Sequence, residues 1–533
     1  MITIHIFTFK MPEKPDKITA SSSKNQLPDD TDALKQMVLT LLGRIDDLNG
    51  QLHYLKRQLF GKKSEKLDPS QRLLFEDLYN QLKAKKEQKQ PSSPNNNSGQ
   101  NKNHKGRNPL PADLKREVIE IEPSQSEKTC PVCRNKKERI GEEITEKLEY
   151  VPASFYVKRY IRYKYACRGC QSNVSIGNLP AMAIDKGIAG EGLLAHIITS
   201  KYCDHAPLNR LEGILRRHGV DITVSNMCDW VRKCADLLEP LVDRMHEKIL
   251  ESPKINTDDT PIPVKSRKRK GSTYKGYLWA YIDNKKNVVF DFTPNRSRAG
   301  PIEFLGDYDG YVQADAYSGY DEFFRKTNAT EVGCNSHARR KFEYAMDSDP
   351  VRAANMMALW GKLYEIEKRA KQNNYSPEKL LEVRQKEAVP ILSEIKTLLD
   401  KYKKEVLPKT PVGKAVTYSL NQWDALVRYT DNPILEIDNN VSERTLRMVC
   451  LGRKNYLFAG SERGAKSAAV IYSLVASCKL NDHDPFAYFD DVLRKVSTHP
   501  AARIDELLPS NWNPPESKTK NNSTIKTQIT KVA

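Results

Sequence analysis

"KINTDDTPIPV", residues 254–264, decides how the chain is read. It reads as a strand that ends in acids, Asp258 and Asp259. Two more strands follow, "KGYLWAYID" (275–283) and "KNVVFDFT" (286–293), with "NK" between them as a hairpin turn. "AGPIEFLGDY" (299–308) then reads as a short helix, and "GYVQADAYSGY" (310–320) as a fourth strand ending in Asp315.

Three antiparallel strands, a helix and a further strand are the opening of a ribonuclease-H-like α/β core. In such a sheet an acid on the first strand lies beside one at the end of the fourth. Carboxylates that close repel unless cations bridge them. Two Mg2+ ions roughly 3.5–4 Å apart do so, with Mn2+ an alternative, and stabilise the attacking and leaving oxygens of a phosphodiester displacement. A third carboxylate is then expected on a later helix. "EIDNNVSERTLR" (436–447) supplies one: Asn439 and Asn440 read as helix caps, Glu443 follows, and Arg444 and Arg447 stand ready for phosphate. Spacings of 57 residues from Asp258 to Asp315 and 128 from there to Glu443 decide little alone. Residue patterns leave open Asp258 against Asp259, and Glu436 or Asp438 against Glu443.

At 533 residues the chain is too long for one ordinary domain. Lys and Arg total 86 against 68 Asp and Glu, a net charge of +18 that favours a polyanionic partner, nucleic acid first. An anionic membrane is disfavoured, since no apolar run approaches the roughly 18 residues of a span. "MITIHIFTFK" (1–10) lacks a cleavage site and is no secretory signal, and Met11 is an alternative start. Ten cysteines are too few for a disulfide framework, and four of them form C-x-x-C pairs, as expected of metal binding in a reducing cytoplasm.

The chain is expected to be multidomain α+β. Residues 1–30 read as disordered. Residues 31–85 read as a coiled coil, with Leu34, Val38, Leu41, Ile45, Leu48, Leu52, Leu55 and Leu59 forming a heptad seam for self-association. A low-complexity linker spans 86–107. Residues 108–185 read as a zinc-binding β module: Cys130 and Cys133 ("CPVC") and Cys167 and Cys170 ("CRGC") supply four thiolates for a tetrahedral structural zinc. A hairpin is expected in the intervening segment. In "SFYVKRYIRYKYACRGC" one parity carries Phe155, Val157, Ile161, Tyr163 and Tyr165, and the other interleaves tyrosines with Lys158, Arg162 and Lys164, as a nucleic-acid-binding face does.

Residues 186–250 form a helical region in which "PLNRLEGILRRHGVDITVSNMCDWVRK" (207–233) has helix-turn-helix spacing, with Gly219 at the turn and Ser225 as the second N-cap. The core occupies 251–341 and 431–510, separated by a helical insertion over 342–430 in which Pro390 should break or kink the middle helix. A disordered basic tail covers 511–533.

"NTDDTPIPV", "VQADAYSGYDEFF", "GCNSHARRKF", "DNNVSERTLRMVCLGRKNYLFAGSERGA" and "SLVASCKLNDHDPFAYFDDVL" resemble the signature blocks of the insertion-sequence-66 family of DDE transposases. The zipper, "LFGKKSEK", both C-x-x-C pairs and "SKYCDHAPLNR" occur in that family's order, so the resemblance runs from about residue 34 to 495. "CNS" before the histidine and "DD" on the first strand depart from the common pattern.

The resemblance implies Asp258, Asp315 and Glu443 as the metal-binding triad. It implies functional roles for His337, Arg339 and Arg340, and DNA-backbone contacts by Arg453 and Lys454. The function it implies is transposition: cleavage of the element ends in double-stranded DNA and joining of the freed 3′-hydroxyls to target DNA. It further implies a cytoplasmic, nucleoid-associated bacterial protein that works with accessory proteins of the same element. A catalytically inactive zinc-dependent DNA-binding regulator is the alternative, and a structure-specific nuclease a second rival.

Overall fold

The computed structural model describes residues 154–166, 174–185, 187–266 and 271–514, with a few isolated positions between 32 and 136. The expected N-terminal segment, zipper (Asp32 aside), linker and four zinc cysteines lie outside the described residues, as does the tail beyond 514. What is described is multidomain α+β, a mixed sheet among many helices. It divides into two compact units, one of residues 332–438 and one of the flanking segments.

The flanking unit begins with a small hairpin. Strands β1 (Lys164–Ala166) and β2 (Val174–Ile176) pair antiparallel, Tyr165 opposite Ser175. The expected hairpin between the two cysteine pairs lies largely outside the described residues; its described part, 154–163, is extended and makes no strand pairing among the described residues. Neither parity of that segment is buried: Val157 is 91% and Tyr156 79% exposed, so the expected apolar face does not form.

Helix α1 (Glu191–Tyr202) precedes α2 (Leu208–Arg217) and α3 (Val224–Leu250). Gly219 adopts φ +78° just past α2, where Gly219 N bonds to Arg216 O and Val220 N to Leu215 O. That double bond pattern closes a helix C-terminus and needs a left-handed residue, which glycine supplies without strain. The N-cap of α3 is Thr223, whose hydroxyl accepts from Asn226 N at 3.3 Å, and not the expected Ser225. At 27 residues α3 greatly exceeds a recognition helix; its buried stripe of Met227, Trp230, Leu238 and Met245 makes it a long brace.

The sheet follows: β3 (Lys254–Lys265), β4 (Thr273–Asp283) and β5 (Val288–Thr293), then α4 (Ala299–Leu305), β6 (Tyr311–Gln313), α5 (Asp321–Lys326) and β7 (Thr330–Val332). Their order in the sheet is β5-β4-β3-β6-β7, with β3–β4 and β4–β5 antiparallel and β3–β6 parallel. β4, β5 and α4 fall close to where the sequence places them, but β3 does not end at the acids and runs on to Lys265, and β6 stops at Gln313, short of Asp315.

In the other unit lie α6 (Asn335–Ala345), α7 (Pro350–Gln372), α8 (Pro377–Val383), α9 (Val389–Glu405), α10 (Pro411–Asn421) and α11 (Trp423–Val427), the helical composition expected of the insertion. Pro390 acts as anticipated: residues 384–388 form a π-turn immediately before it, which absorbs the bond that proline cannot donate.

The chain then returns to the first unit with α12 (Asn440–Tyr456), α13 (Glu462–Leu480) and α14 (Pro485–Lys495). Helix α13 covers edge strand β5, whose outward N–H groups would otherwise be unpaired. Ser473 Oγ accepts from Phe290 N at 2.8 Å and Ser477 Oγ from Val288 N at 2.9 Å. Two serines thus close the sheet edge to strand addition.

Candidate functional site

Parallel pairing of β3 with β6 sets Lys254 opposite Tyr311, Ile255 opposite Val312 and Asn256 opposite Gln313. Continued for two residues, that register puts Asp258 level with Asp315, which explains the 57-residue spacing. Side chains two apart on a strand share a face. Beneath Asp258 therefore lies Asn256, and beneath Asp315 lies Gln313. On α12 the residue one turn before Glu443 is Asn439.

These three amides are buried to 2% exposure or less and join one another. Asn256 Nδ2 donates to Gln313 Oε1 at 3.3 Å and to Asn439 Oδ1 at 2.9 Å, and Asn439 Nδ2 donates to Thr257 O at 2.7 Å. Ser442 Oγ also donates to Asn439 Oδ1, at 2.9 Å. Asn439 occupies the N-cap position of α12, yet its side chain makes no capping bond. The expectation of an asparagine cap is thus corrected. The amide is spent on β3, where it fastens the helix to the acid-bearing strand, and the backbone Asn439 O receives Ser442 N and Glu443 N.

The amide layer underlies a carboxylate layer. Burial pushes Asp258 up to about 8, and the negative charges of Asp315, Asp259 and Glu443 push in the same direction; a bond from Asp259 N partly opposes them. Asp259, 5% exposed, pairs with Arg296 at 2.6 Å, and the same guanidinium nitrogen lies 3.7 Å from Asp315. Burial raises its pKa as well, with Arg296 pulling the other way. Oxygen-only carboxylate donors of this kind suit a hard divalent cation, and a soft-metal site would need sulfur or imidazole.

The remaining candidates lie on two helices, α12 and α6. Arg444 and Arg447 are exposed on α12, as is Lys454. Arg453 is committed to the strand, donating to Thr260 Oγ1 at 2.9 Å and to Pro261 O, so it braces α12 instead of facing solvent as a backbone contact would. His337, Arg339 and Arg340 lie part-buried on α6 in the other unit, with the Arg339 guanidinium 5.6 Å from the Tyr364 ring centroid. Asp438 is in that unit too, beside Tyr364, whose hydroxyl pKa burial and Asp438 raise. Sequence reasoning missed Arg296 and the amide layer. The amides had a legible signal: a polar residue two before each strand acid, and four before the helix acid.

Asn439→Ala would strand the Thr257 carbonyl and one Asn256 donor in a buried setting, an effect of about 1–3 kcal/mol. Divalent-cation binding at the acids above it is expected to weaken on the order of 10–100-fold, as when a ligand's orienting partner is lost. Faster hydrogen exchange confined to β3 and the first turns of α12 checks it. Asn439→Asp should behave similarly, because a carboxylate cannot donate to Thr257 O.

Family models match nearly the whole of this architecture. "Transposase IS66 family" covers residues 186–467, the "zinc-finger binding domain of transposase IS66" 127–171, the "IS66 C-terminal element" 473–510 and "Transposase C of IS166 homeodomain" 47–119. The class is therefore transposase, with a zinc-finger domain that supports a structural zinc. The chain belongs to the IS66 transposase family.

Among its relatives is the uncharacterised protein y4jD of Sinorhizobium fredii (strain NBRC 101917 / NGR234), 32% identical over 91% of this chain and 97% of that one. Uncharacterised protein y4qI of the same organism is 30% identical over 92% and 98%, and y4hP 32% identical over 76% and 77%. Among the described residues no helix is long and apolar enough to cross a membrane.

Proposed function

We propose that the chain is a DNA transposase that cleaves the ends of its element and joins them to target DNA by phosphodiester transesterification. The observation that carries this is the meeting of Asp258, Asp315 and Glu443 over one amide layer, with Asp258 displaced to about 8. Sheet order β5-β4-β3-β6-β7 supports a ribonuclease-H-like core for residues 251–341 and 431–510. The zipper over 31–85 would pair subunits. The zinc module (108–185), with Cys130, Cys133, Cys167 and Cys170 as ligands, and the helical region (186–250) would hold element ends.

Asp258, Asp315 and Glu443 would hold two Mg2+ ions, which stabilise charge on the attacking and leaving oxygens. Asp258 would serve as a ligand in its ionised form. The amides keep the three oxygen sets in register, so little reorganisation is left for the moment of reaction. Arg444, Arg447 and Lys454 would grip DNA phosphates from the exposed face of α12, and His337, Arg339 and Arg340 from α6.

In the first step a water oxygen bonds to phosphorus and the bond to the 3′-oxygen breaks, leaving a 3′-hydroxyl. In the second that hydroxyl oxygen bonds to a target phosphorus, and the target's own bond to its 3′-oxygen breaks. One phosphorus–oxygen bond forms for each that breaks, so no nucleotide cofactor is needed.

The test incubates the full chain, with the element's accessory proteins, on labelled element-end DNA in Mg2+ or EDTA. Nicking and joined products in Mg2+ alone are expected. Tight end binding without nicking in either buffer would sink the transposase reading and favour a DNA-binding regulator.

A further inference from the structure

Arg296 stands in the connection between β5 and α4, at the rim of the carboxylate layer. Its Nε and Nη2 lie 2.8 and 2.6 Å from Asp259 Oδ1, and Nη2 is also 3.7 Å from Asp315 Oδ2. The guanidinium stacks 4.0 Å from the Tyr317 ring centroid, while Tyr317 Oη donates to Arg296 O at 2.5 Å. The connection itself is stiff. Trp279 Nε1 donates to Thr293 Oγ1 at 2.8 Å, Thr293 Oγ1 to Asn295 O at 2.9 Å, and Ser297 N to Asn295 Oδ1 at 3.1 Å.

The two acids hold this arginine unequally. At Asp259, a carboxylate 5% exposed, the fork makes short charge-assisted hydrogen bonds. At 3.7 Å the approach to Asp315 is an ion pair without a hydrogen bond, and is given up with less loss. The Arg296 side chain is itself 37% exposed, so its other donors open toward solvent where a DNA strand would pass.

We propose that Arg296 is a built-in counter-ion that hands Asp315 over to the divalent cation. With no cation bound it shields Asp315; when one binds, it pivots on its Asp259 anchor and takes a phosphate oxygen of the DNA strand. This rests on the metal-site reading above. It gives Asp259 a purpose distinct from that of Asp258: one acid binds the cation, and its neighbour in sequence aims the arginine. Lysine is no substitute, since a single ammonium lacks the planar fork that spans both partners.

The test measures Mn2+ binding to the full chain without DNA, by electron paramagnetic resonance of free Mn2+, for wild type, Arg296→Gln and Asp258→Asn. Removing the competing charge is expected to tighten Mn2+ binding in Arg296→Gln by about 3–10-fold. Cleavage of element-end DNA at saturating Mn2+ should fall on the order of 100-fold. Arg296→Met, which keeps an apolar stem against Tyr317, should tighten Mn2+ binding likewise and guards against a folding defect in the first variant. Unchanged or weaker Mn2+ binding in both variants overturns the counter-ion role while leaving the metal site standing. Wild type that binds no Mn2+, or binding that survives Asp258→Asn, overturns both.

Discussion

Asp258→Asn is expected to abolish strand cleavage, by on the order of 1,000-fold or more, and at the same time to make the metal-free protein more stable. The two effects share a cause. Asp258 has a pKa pushed from 3.8 up to about 8 by burial and by Asp315, Asp259 and Glu443, so its ionised form is disfavoured in the folded chain. An unfolded chain ionises it freely near 3.8. Below that pH both states are protonated and nothing is lost; as pH rises toward 8 the folded state is penalised progressively.

Asparagine keeps the shape and removes the charge. The gain in EDTA should therefore grow between pH 4 and pH 8, reaching on the order of 1–2 kcal/mol. Thermal melts of both proteins in EDTA across that range, beside a cleavage assay, check it. A variant that loses cleavage but is destabilised at pH 8 would show that Asp258 is held by favourable contacts and not under repulsion.

Arg384→Ala should have the largest effect on folding. This arginine, 2% exposed, lies in the π-turn ahead of α9. All five of its donors are used. Nε and Nη2 grip Glu367 at 2.8 Å each, Nη1 reaches Tyr429 O at 2.8 Å and Asn432 O at 3.2 Å, and Nη2 reaches Leu435 O at 3.0 Å. Truncation leaves the part-buried Glu367 and the Tyr429 and Leu435 carbonyls without this donor, a loss of roughly 3–5 kcal/mol. Hydrogen exchange of peptides from 332–438 in the full chain should rise sharply, with other peptides little changed. Arg384→Lys should recover part of the loss, since three donors cannot replace five in a fixed plane. Exchange unaffected by either substitution would mean that the network contributes nothing net.

Legibility differed by kind of signal. The existence of β3 to β6, though not the ends of β3 and β6, and the start of α12 followed from alternation, turn residues and polar clusters, all local properties of the chain. The register of β3 against β6 is not local. Once known, it gives the 57-residue spacing a meaning: Asn256 pairs with Gln313, and each acid follows two residues later. Asn439 misled for the opposite reason: an asparagine before a helix looks like a cap, and only tertiary packing shows its amide committed to Thr257. Arg453 misled in the same way, as a cation in a basic run that packing turns inward onto Pro261. The exposed course of 154–163 ran against its alternating pattern, because alternation marks a face fit for burial and supplies nothing to cover it.

The bond between Asn256 and Asn439 spans 183 positions of chain. A ribosome working at about 5–20 residues per second delivers β3 and β6 several seconds before α12, with residues 332–438 emerging in between. Throughout that interval the nascent protein carries two of its three acids and the modules ahead of them, but no Glu443. Under the proposed function, a product that stops within the interval is expected to hold DNA ends without cutting them, and co-expression of residues 1–438 with the full chain in a transposition assay checks whether it inhibits.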